Sequence, residues 1–325
     1  MPTPPTPEEC RAFADLFSDV VDTLSNALLD KVRPLRLALT VLFAGGHLLL
    51  EDAPGTGKTA LARAVAHVIS GKNSRIQFTP DLLPSDITGV TMFDQGHSQW
   101  EFHSGPVFAH IVLADEINRA SPKTQSALLE VMEEGQITVD GTTHVLDKPF
   151  MVIATQNPIE QAGTYPLPEA QLDRFLLKMS LGYPSRAAMV DVLATAGGPE
   201  RSEAIVATLD TAAVLHWQQT IAEVHVDRAV REYVAALAET TRDDAGALLG
   251  VSTRGALGMV RCARVWAAAQ GRAFVIPDDV RELAGPVWEH RIVVDPDAAF
   301  SGTTAASVVA RALAAVPVPS MPVTA

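Results

Sequence analysis

The sequence predicts an α/β fold: a parallel sheet with crossover helices, followed by an all-helical second domain. Three observations carry that expectation. The chain has 325 residues, about twice the usual domain size. From Leu48 to Leu181 short apolar runs alternate with helical patterns, as expected of parallel strands joined by helices. After Tyr183-Pro184 the strand-like runs cease and only helical periodicity continues.

The elements follow in order. Residues 1–7 carry proline at positions 2, 4, 5 and 7 and read as a disordered lead-in. A helical stripe begins near Glu8 and passes through Ala12, Leu16, Val20 and Leu24. Strands are expected at His47–Glu51, Arg75–Phe78, His110–Ala114, Phe150–Ala154 and Leu176–Leu181, with a helix at Ala60–Ile69. Two segments break this rhythm, Val90–Phe102 around Gln95-Gly96 and Gln136–Leu146 around Asp140-Gly141, and both read as hairpin insertions. These elements make a first domain over residues 8–184. Helices are expected at Ser185–Ala196, Thr211–Glu223, Asp227–Thr241, Thr253–Gln270 and Pro277–Ala284, stopped at Gly197-Gly198-Pro199 and at Gly271. Pro277 followed by Asp278 and Asp279 places negative charge on the positive end of a helix dipole. The second domain spans 185–316, and 317–325 form a loose tail.

Composition narrows the function classes. Subtracting 38 acidic from 25 basic residues gives −13, which argues against a protein that coats duplex nucleic acid. With 47% hydrophobic and 19% charged residues the chain can build packed cores. Cys10 and Cys262 frame no disulfide scaffold and suit a reducing compartment. The longest apolar stretch, Leu35–Leu50, is broken by Arg36, Thr40, Gly45, Gly46 and His47, and is too short to span a bilayer. The opening MPTPPTPEEC has no positive n-region of a signal peptide. A soluble, cytoplasmic protein without membrane insertion is the expectation. The nine histidines show no metal-ligand spacing.

The strongest chemical signal is His47-Leu-Leu-Leu-Glu-Asp-Ala-Pro-Gly-Thr-Gly-Lys-Thr59, a strand, a Gly-rich loop and a helix start. Backbone N–H groups from Asp52, Ala53, Pro54-flanked Gly55, Thr56, Gly57 and onward to Ala60 can cradle phosphates, Lys58 can reach the β- and γ-phosphates, and the Thr59 hydroxyl can hold Mg²⁺. The usual pattern has Gly where this chain has Asp52. A second signal is His110-Ile-Val-Leu-Ala-Asp115-Glu116, a buried strand delivering two carboxylates, Asp115 for the metal and Glu116 for the attacking water. Alone it reads equally well as an ordinary strand end; the upstream loop favours the chemical reading. Phe150-Met-Val-Ile-Ala-Thr-Gln-Asn157-Pro158 ends in a polar Asn157 that could bond water or a γ-phosphate, or simply open a turn. Arg174, in Gln171-Leu-Asp-Arg-Phe175, is either a surface charge or a finger for a neighbouring subunit's phosphate site. Arg254, in Gly250-Val-Ser-Thr-Arg-Gly255, opposes the dipole of the helix it opens, which marks it as a candidate γ-phosphate ligand. Glu133-Glu134 reads as a solvated helix end.

Taken together these residues resemble the MoxR family of AAA+ ATPases. The resemblance extends through Ser104-Gly-Pro-Val-Phe, Leu113-Ala-Asp-Glu-Ile-Asn-Arg-Ala120, Lys123-Thr-Gln-Ser-Ala-Leu-Leu-Glu130, Ala154-Thr-Gln-Asn-Pro-Ile-Glu-Gln161 and Gly163-Thr-Tyr-Pro-Leu-Pro-Glu-Ala-Gln-Leu-Asp-Arg-Phe175. Ser252-Thr-Arg-Gly-Ala256 and Gly271-Arg-Ala-Phe-Val-Ile-Pro-Asp-Asp-Val280 carry it into the second domain, so it covers roughly Leu28 to Ile292. It implies an AAA+ core with a helical lid and a homo-oligomeric ring, usually a hexamer, that binds ATP with Mg²⁺ between subunits. It further implies Lys58 and Thr59 as Walker A, Asp115 and Glu116 as Walker B, Asn157 as sensor 1, Arg174 as arginine finger and Arg254 as sensor 2. The hairpins match the helix-2 and pre-sensor-1 insertions of that clade. Family partners typically carry a von Willebrand factor A domain, often in metal or cofactor insertion. Where the family has a Val-Gly-Gln-like adenine-packing segment, this chain has Leu29-Asp-Lys-Val-Arg-Pro34.

The two insertions separate the rival readings. No Lys or Arg lies between Asp86 and Pro106 or between Gly135 and Asp147, whereas a nucleic-acid motor needs cations to track a phosphate backbone. A protein remodeller is favoured over a helicase or transcription activator; a nucleotide-gated scaffold with little turnover is the third reading. Trp100 and Phe102, flanking Glu101, serve either hairpin packing or the gripping of a partner.

Overall fold

The computed structural model describes residues 4–158, 163–194 and 201–319. The Ile159-Glu-Gln161 part of the family-like motif, the expected stop at Gly197-Gly198-Pro199 and the end of the tail lie outside the described residues. The chain divides into two compact units, one built from the described parts of 20–174 and 179–215, the other from 1–19, 175–178 and 216–325.

A five-stranded parallel sheet runs in the order Leu177–Met179, Leu48–Glu51, Met151–Gln156, Ile111–Asp115, Asn73–Gln77, and the last four of these strands belong to the first unit. Strands Ile111–Asp115 and Met151–Gln156 are buried almost throughout, as expected where helices cover both faces of a parallel sheet. The register sets Glu51 beside Gln156, Ala114 beside Ala154 and Gln77 beside Asp115. The carboxyl ends of four strands therefore finish at one edge, where ligands bind in open α/β sheets. The helix Lys58–Val68 that follows the first strand buries Leu61, Ala62, Ala64, Val65, Ala66 and Val68. Helix Val32–Phe43, which the interrupted apolar stretch concealed, buries every residue from Leu37 to Phe43. Helix Pro122–Glu134 starts at Ser121, whose hydroxyl accepts from Thr124 N, and ends at Gly135 with φ 63°.

Both insertions form antiparallel hairpins, Gly89–Asp94 with Gln99–Ser104 and Gln136–Val139 with Thr142–Val145. Phe102 stacks on His144 of the second hairpin with ring centroids 3.9 Å apart and meets Phe108 edge-on at 5.6 Å. Ile137 is buried as well. Trp100 is 71% exposed, in an edge contact with half-exposed Phe93.

In the second unit, helices Arg228–Arg242, Thr253–Ala268, Pro277–Trp288 and Ala305–Ala315 pack around Val234, Met259, Leu283, Val308 and their neighbours. Side chains of Asp227, Ser252 and Thr304 cap three of these helices. To these helices the structure adds a short antiparallel ladder between Ala247–Leu249 and Val293–Val294. Helix Pro277–Trp288 runs past the expected end at Ala284 and through Pro286, because Trp288 is fully buried and donates from Nε1 to Gly255 O at 3.0 Å. Buried Arg291 donates to the carbonyls of Phe175 (2.7 Å) and Leu176 (3.2 Å). Cys10 and Cys262 are both free and buried, and burial pushes the Cys262 thiol up to about 12. Among the described residues no helix is long and apolar enough to cross a membrane.

Candidate nucleotide-binding site

A cleft of about 490 Å³ opens at the carboxyl edge of the sheet, lined by Pro54, Gly55, Gly57, Lys58, Thr59, Ala60, Arg75, Gln77, Asp115, Glu116, Thr155, Gln156 and Asn157. Its floor is the loop that leaves the first strand. Gly55 and Gly57 take φ of 78° and 96°, a backbone that side-chain-bearing residues rarely adopt, so the tight turn into the helix needs both glycines. The first N–H groups of that helix have no carbonyl partner within it, which leaves donors suited to an anion. Lys58 Nζ folds back onto the loop, donating to Ala53 O at 2.9 Å and to Asp52 O.

Asp52 stands behind the loop. One carboxylate oxygen accepts from Ala53 N (2.8 Å); the other accepts from the Ser180 hydroxyl (2.9 Å), Leu181 N (2.8 Å) and Gly182 N (2.6 Å). Burial alone would raise its pKa, but the bonds from Gly182, Ser180, Ala53 and Leu181 outweigh burial and hold it below the ordinary carboxylate value. Lys31 takes the carbonyls of the same turn, at Leu181 (2.7 Å), Gly182 (3.1 Å) and Tyr183 (3.1 Å). The Leu29–Pro34 segment is thus tied to the turn at 181–183. Thr56 is buried, its hydroxyl on Ala53 O at 3.1 Å.

The two adjacent carboxylates are held differently. Asp115 is buried; its Oδ1 accepts from the Thr155 hydroxyl at 2.6 Å, and its Oδ2 lies 2.7 Å from Arg75 Nη2 and 3.4 Å from Thr59 Oγ1. Glu116 adopts φ 56°, ψ 51°, a left-handed conformation that a non-glycine residue keeps only when its surroundings enforce it. Glu116 N donates to Thr155 Oγ1 (2.9 Å), and its carboxylate accepts from Gln77 Nε2 (3.1 Å) and Arg119 Nη1 (2.8 Å). Asn157 is buried, and its carbonyl accepts from Asn118 Nδ2 at 3.2 Å.

Nine of the residues singled out in the sequence therefore converge: Pro54, Gly55, Gly57, Lys58, Thr59, Ala60, Asp115, Glu116 and Asn157. Asp52, Ala53 and Thr56 shape the loop from behind. Arg174 does not line this cleft. Its Nε lies 2.9 Å from Glu133 Oε2, so Glu133 is an ion-pair partner and not merely the solvated helix end its Glu-Glu setting suggested. Arg254 belongs to the other unit, in the first turn of helix Thr253–Ala268.

Comparisons with known proteins place the chain in a family. Residues 47–177 match the family described as "ATPase family associated with various cellular activities (AAA)", and residues 239–312 match the AAA lid domain. The chaperone MoxR1 of Mycobacterium tuberculosis is 41% identical over 87% of this chain and 77% of its own length. The chain belongs to the MoxR family of AAA+ ATPases. The MoxR protein of Paracoccus denitrificans is 33% identical over 94% of this chain and 96% of its own, and the uncharacterised YeaC of Bacillus subtilis is 45% identical over 94% and 95%. A crystal structure of a proposed ATPase from Cytophaga hutchinsonii superposes with a TM-score of 0.89 at 34% identity, covering 96% of this chain and 98% of that one.

In this MoxR-family cleft, sequence reasoning assigned no role to Arg75, Gln77, Thr155 and Gln156, nor to Arg119, which holds Glu116. Thr155 had a faint signal, a hydroxyl on a buried strand between Ala154 and Gln156. Arg75 and Gln77 alternate on one strand, so their side chains share a face, but nothing local says which carboxylates that face meets.

Asp52 yields a stability prediction. A carboxyl whose folded pKa is lowered contributes stability above the ordinary carboxylate range, near pH 4, and loses it as pH falls through the lowered value. Asp52→Asn, which turns an acceptor into a donor facing N–H groups, should cost about 1–3 kcal/mol near pH 7. Thermal melts of wild type and variant should converge as the pH is lowered below 4; a gap that stays constant would contradict the assignment.

Proposed function

We propose that this chain is a Mg²⁺-dependent ATPase acting in a homo-oligomeric, hexameric ring in the cytoplasm. Turnover there serves to remodel or mature a partner protein with a von Willebrand factor A-type domain. The observation that carries the reading is the convergence of Lys58, Thr59, Asp115, Glu116 and Asn157 on one cleft over a helix N-terminus. The chaperone designation of the Mycobacterium relative supports the remodelling role.

The donor set fits the nucleotide and its metal. Thr59 Oγ1 and Asp115 Oδ2 are hard oxygens on one wall of the cleft, suited to Mg²⁺. Bound there, Mg²⁺ would neutralise charge on the phosphate oxygens. Lys58 exchanges its loop carbonyls for the β- and γ-phosphates. Glu116, oriented by Gln77 and Arg119, accepts a proton from the attacking water, and Asn157 fixes that water or the γ-phosphate. Arg174 serves the neighbouring subunit's cleft and Arg254 the γ-phosphate in its own.

The hairpins are assigned to protein contact. They carry no Lys or Arg, and Trp100, Phe93 and Val145 stand exposed while Phe102 and Ile137 pack inward. Of the two aromatics that flank Glu101, Trp100 is thus the one left exposed for gripping. Acidic, cation-free hairpins do not release counterions from nucleic acid.

Three outcomes test this reading. Glu116→Gln should retain nucleotide affinity and lose about 10²–10⁴ in turnover, since the metal ligand Asp115 remains, whereas Lys58→Ala should weaken binding itself. Hydrolysis by Glu116→Gln at the wild-type rate refutes the base assignment.

Arg174→Ala should bind ATP yet lose about 10³–10⁵ in rate. Mixed with Lys58→Ala subunits it should recover activity, one subunit lending its arginine to the other's intact loop. Confirmed co-assembly without recovery excludes action across a subunit boundary.

Trp100→Ala should leave basal turnover intact and reduce partner-stimulated turnover. Salt-sensitive stimulation by DNA beyond that given by heparin would replace protein remodelling with a nucleic-acid motor.

A further inference from the structure

Arg75 has no part in the reading above, yet its guanidinium rests on the carboxylate oxygen that the metal needs. Nη2 lies 2.7 Å from Asp115 Oδ2 and 2.9 Å from Gln77 Oε1. The other Asp115 oxygen is engaged by the Thr155 hydroxyl at 2.6 Å, so Oδ2 is the oxygen that Thr59 and Arg75 share at the cleft wall. Asp115 is 8% exposed at its side chain and Arg75 46%. The carboxylate is therefore fixed within the protein while its counter-cation can swing.

We propose that Arg75 is a resident counter-cation of Asp115 that competes with the divalent metal for Oδ2, so that loading metal with nucleotide displaces it. This rests on Asp115 being a metal ligand. The physical ground is that two cations on one carboxylate oxygen repel at contact distance. A half-exposed guanidinium pair is weak enough to be exchanged. Gln77 offers the departing group an acceptor already within reach. The same pair offsets the charge of Asp115 at the sheet edge. Arg75 is thus a positioning residue that sets how steeply nucleotide affinity depends on metal.

The test is a linkage measurement. Affinity for a fluorescent ADP analogue is measured with Mg²⁺ and with excess EDTA, for wild type, Arg75→Gln, Arg75→Lys and Asp115→Asn. The ratio of the two affinities reports metal coupling, independently of turnover. Arg75→Gln should raise that ratio by up to about fivefold, the range an exchangeable ion pair supports, with affinity in Mg²⁺ no weaker than that of the wild type. Arg75→Lys, which keeps the cation, should stay nearer wild type. An unchanged ratio in Arg75→Gln overturns the proposal, and so does a weakened affinity in Mg²⁺, which would make Arg75 a phosphate ligand. If Asp115→Asn keeps the wild-type ratio, the metal assignment of Asp115 fails instead, and that outcome is distinct from the other two.

Discussion

The Asp52 carboxylate is the constraint on which the cleft depends. It gathers Ala53 N, the Ser180 hydroxyl, Leu181 N and Gly182 N, and so clamps the start of the glycine-rich loop to the turn after the edge strand. Lys31 holds the carbonyls of the same turn, so that one turn is gripped through donors and acceptors alike. A glycine at position 52, as in the usual loop pattern, could supply no such acceptor. The departure from the pattern is therefore a structural element: the loop's left-handed glycines are free to face a ligand because the residue ahead of them is fixed.

From that fixed loop the rest of the site follows by register. Parallel pairing aligns Gln77 with Asp115 and Ala114 with Ala154, which sets the following residues, Asp115 and Thr155, side by side. One threonine hydroxyl then donates to Asp115 and accepts from Glu116 N. The two carboxylates are held apart in role by this single side chain. Asp115 is buried and anchored, whereas Glu116 points out in a left-handed conformation between Gln77 and Arg119. A strained backbone at a carboxylate of this kind persists because several contacts over-determine it.

The fold was legible because its signals are local. Alternation placed all five sheet strands to within a few residues, and Asp140-Gly141 with its alternating flanks disclosed a hairpin. The loop, the paired carboxylates and Asn157 were legible because each ends a buried strand. Partnerships across the sheet were not. Arg75, Gln77 and Thr155 acquire meaning only from the neighbouring strand, and single-sequence periodicity carries no register between strands separated by insertions. The same limit hid Pro286, since local rules end a helix before proline while burial of Trp288 carries it on. It also hid which hairpin aromatic turns inward: Trp100 and Phe102 lie two apart and share a face, so only the stack of Phe102 on His144 distinguishes them.

Arg174 shows how a static ion pair bears on a proposed dynamic role. Its partner Glu133 lies at 2.9 Å, with side-chain exposures of 30% and 34% for the two residues. Pairs at such partly solvated positions contribute on the order of 0–1 kcal/mol. A γ-phosphate with developing charge in a water-poor cleft binds a guanidinium more strongly than that, since charge-assisted bidentate contacts gain where the dielectric is low. The pair with Glu133 therefore cannot trap Arg174 against the pull of a neighbouring nucleotide. Under the proposed role, a side chain already held by Glu133 would lose less entropy on engaging a phosphate. Were Arg174 to act as proposed, Glu133 would be the residue that holds it beforehand, although its sequence context, two glutamates at a helix end, resembles an ordinary solvated surface.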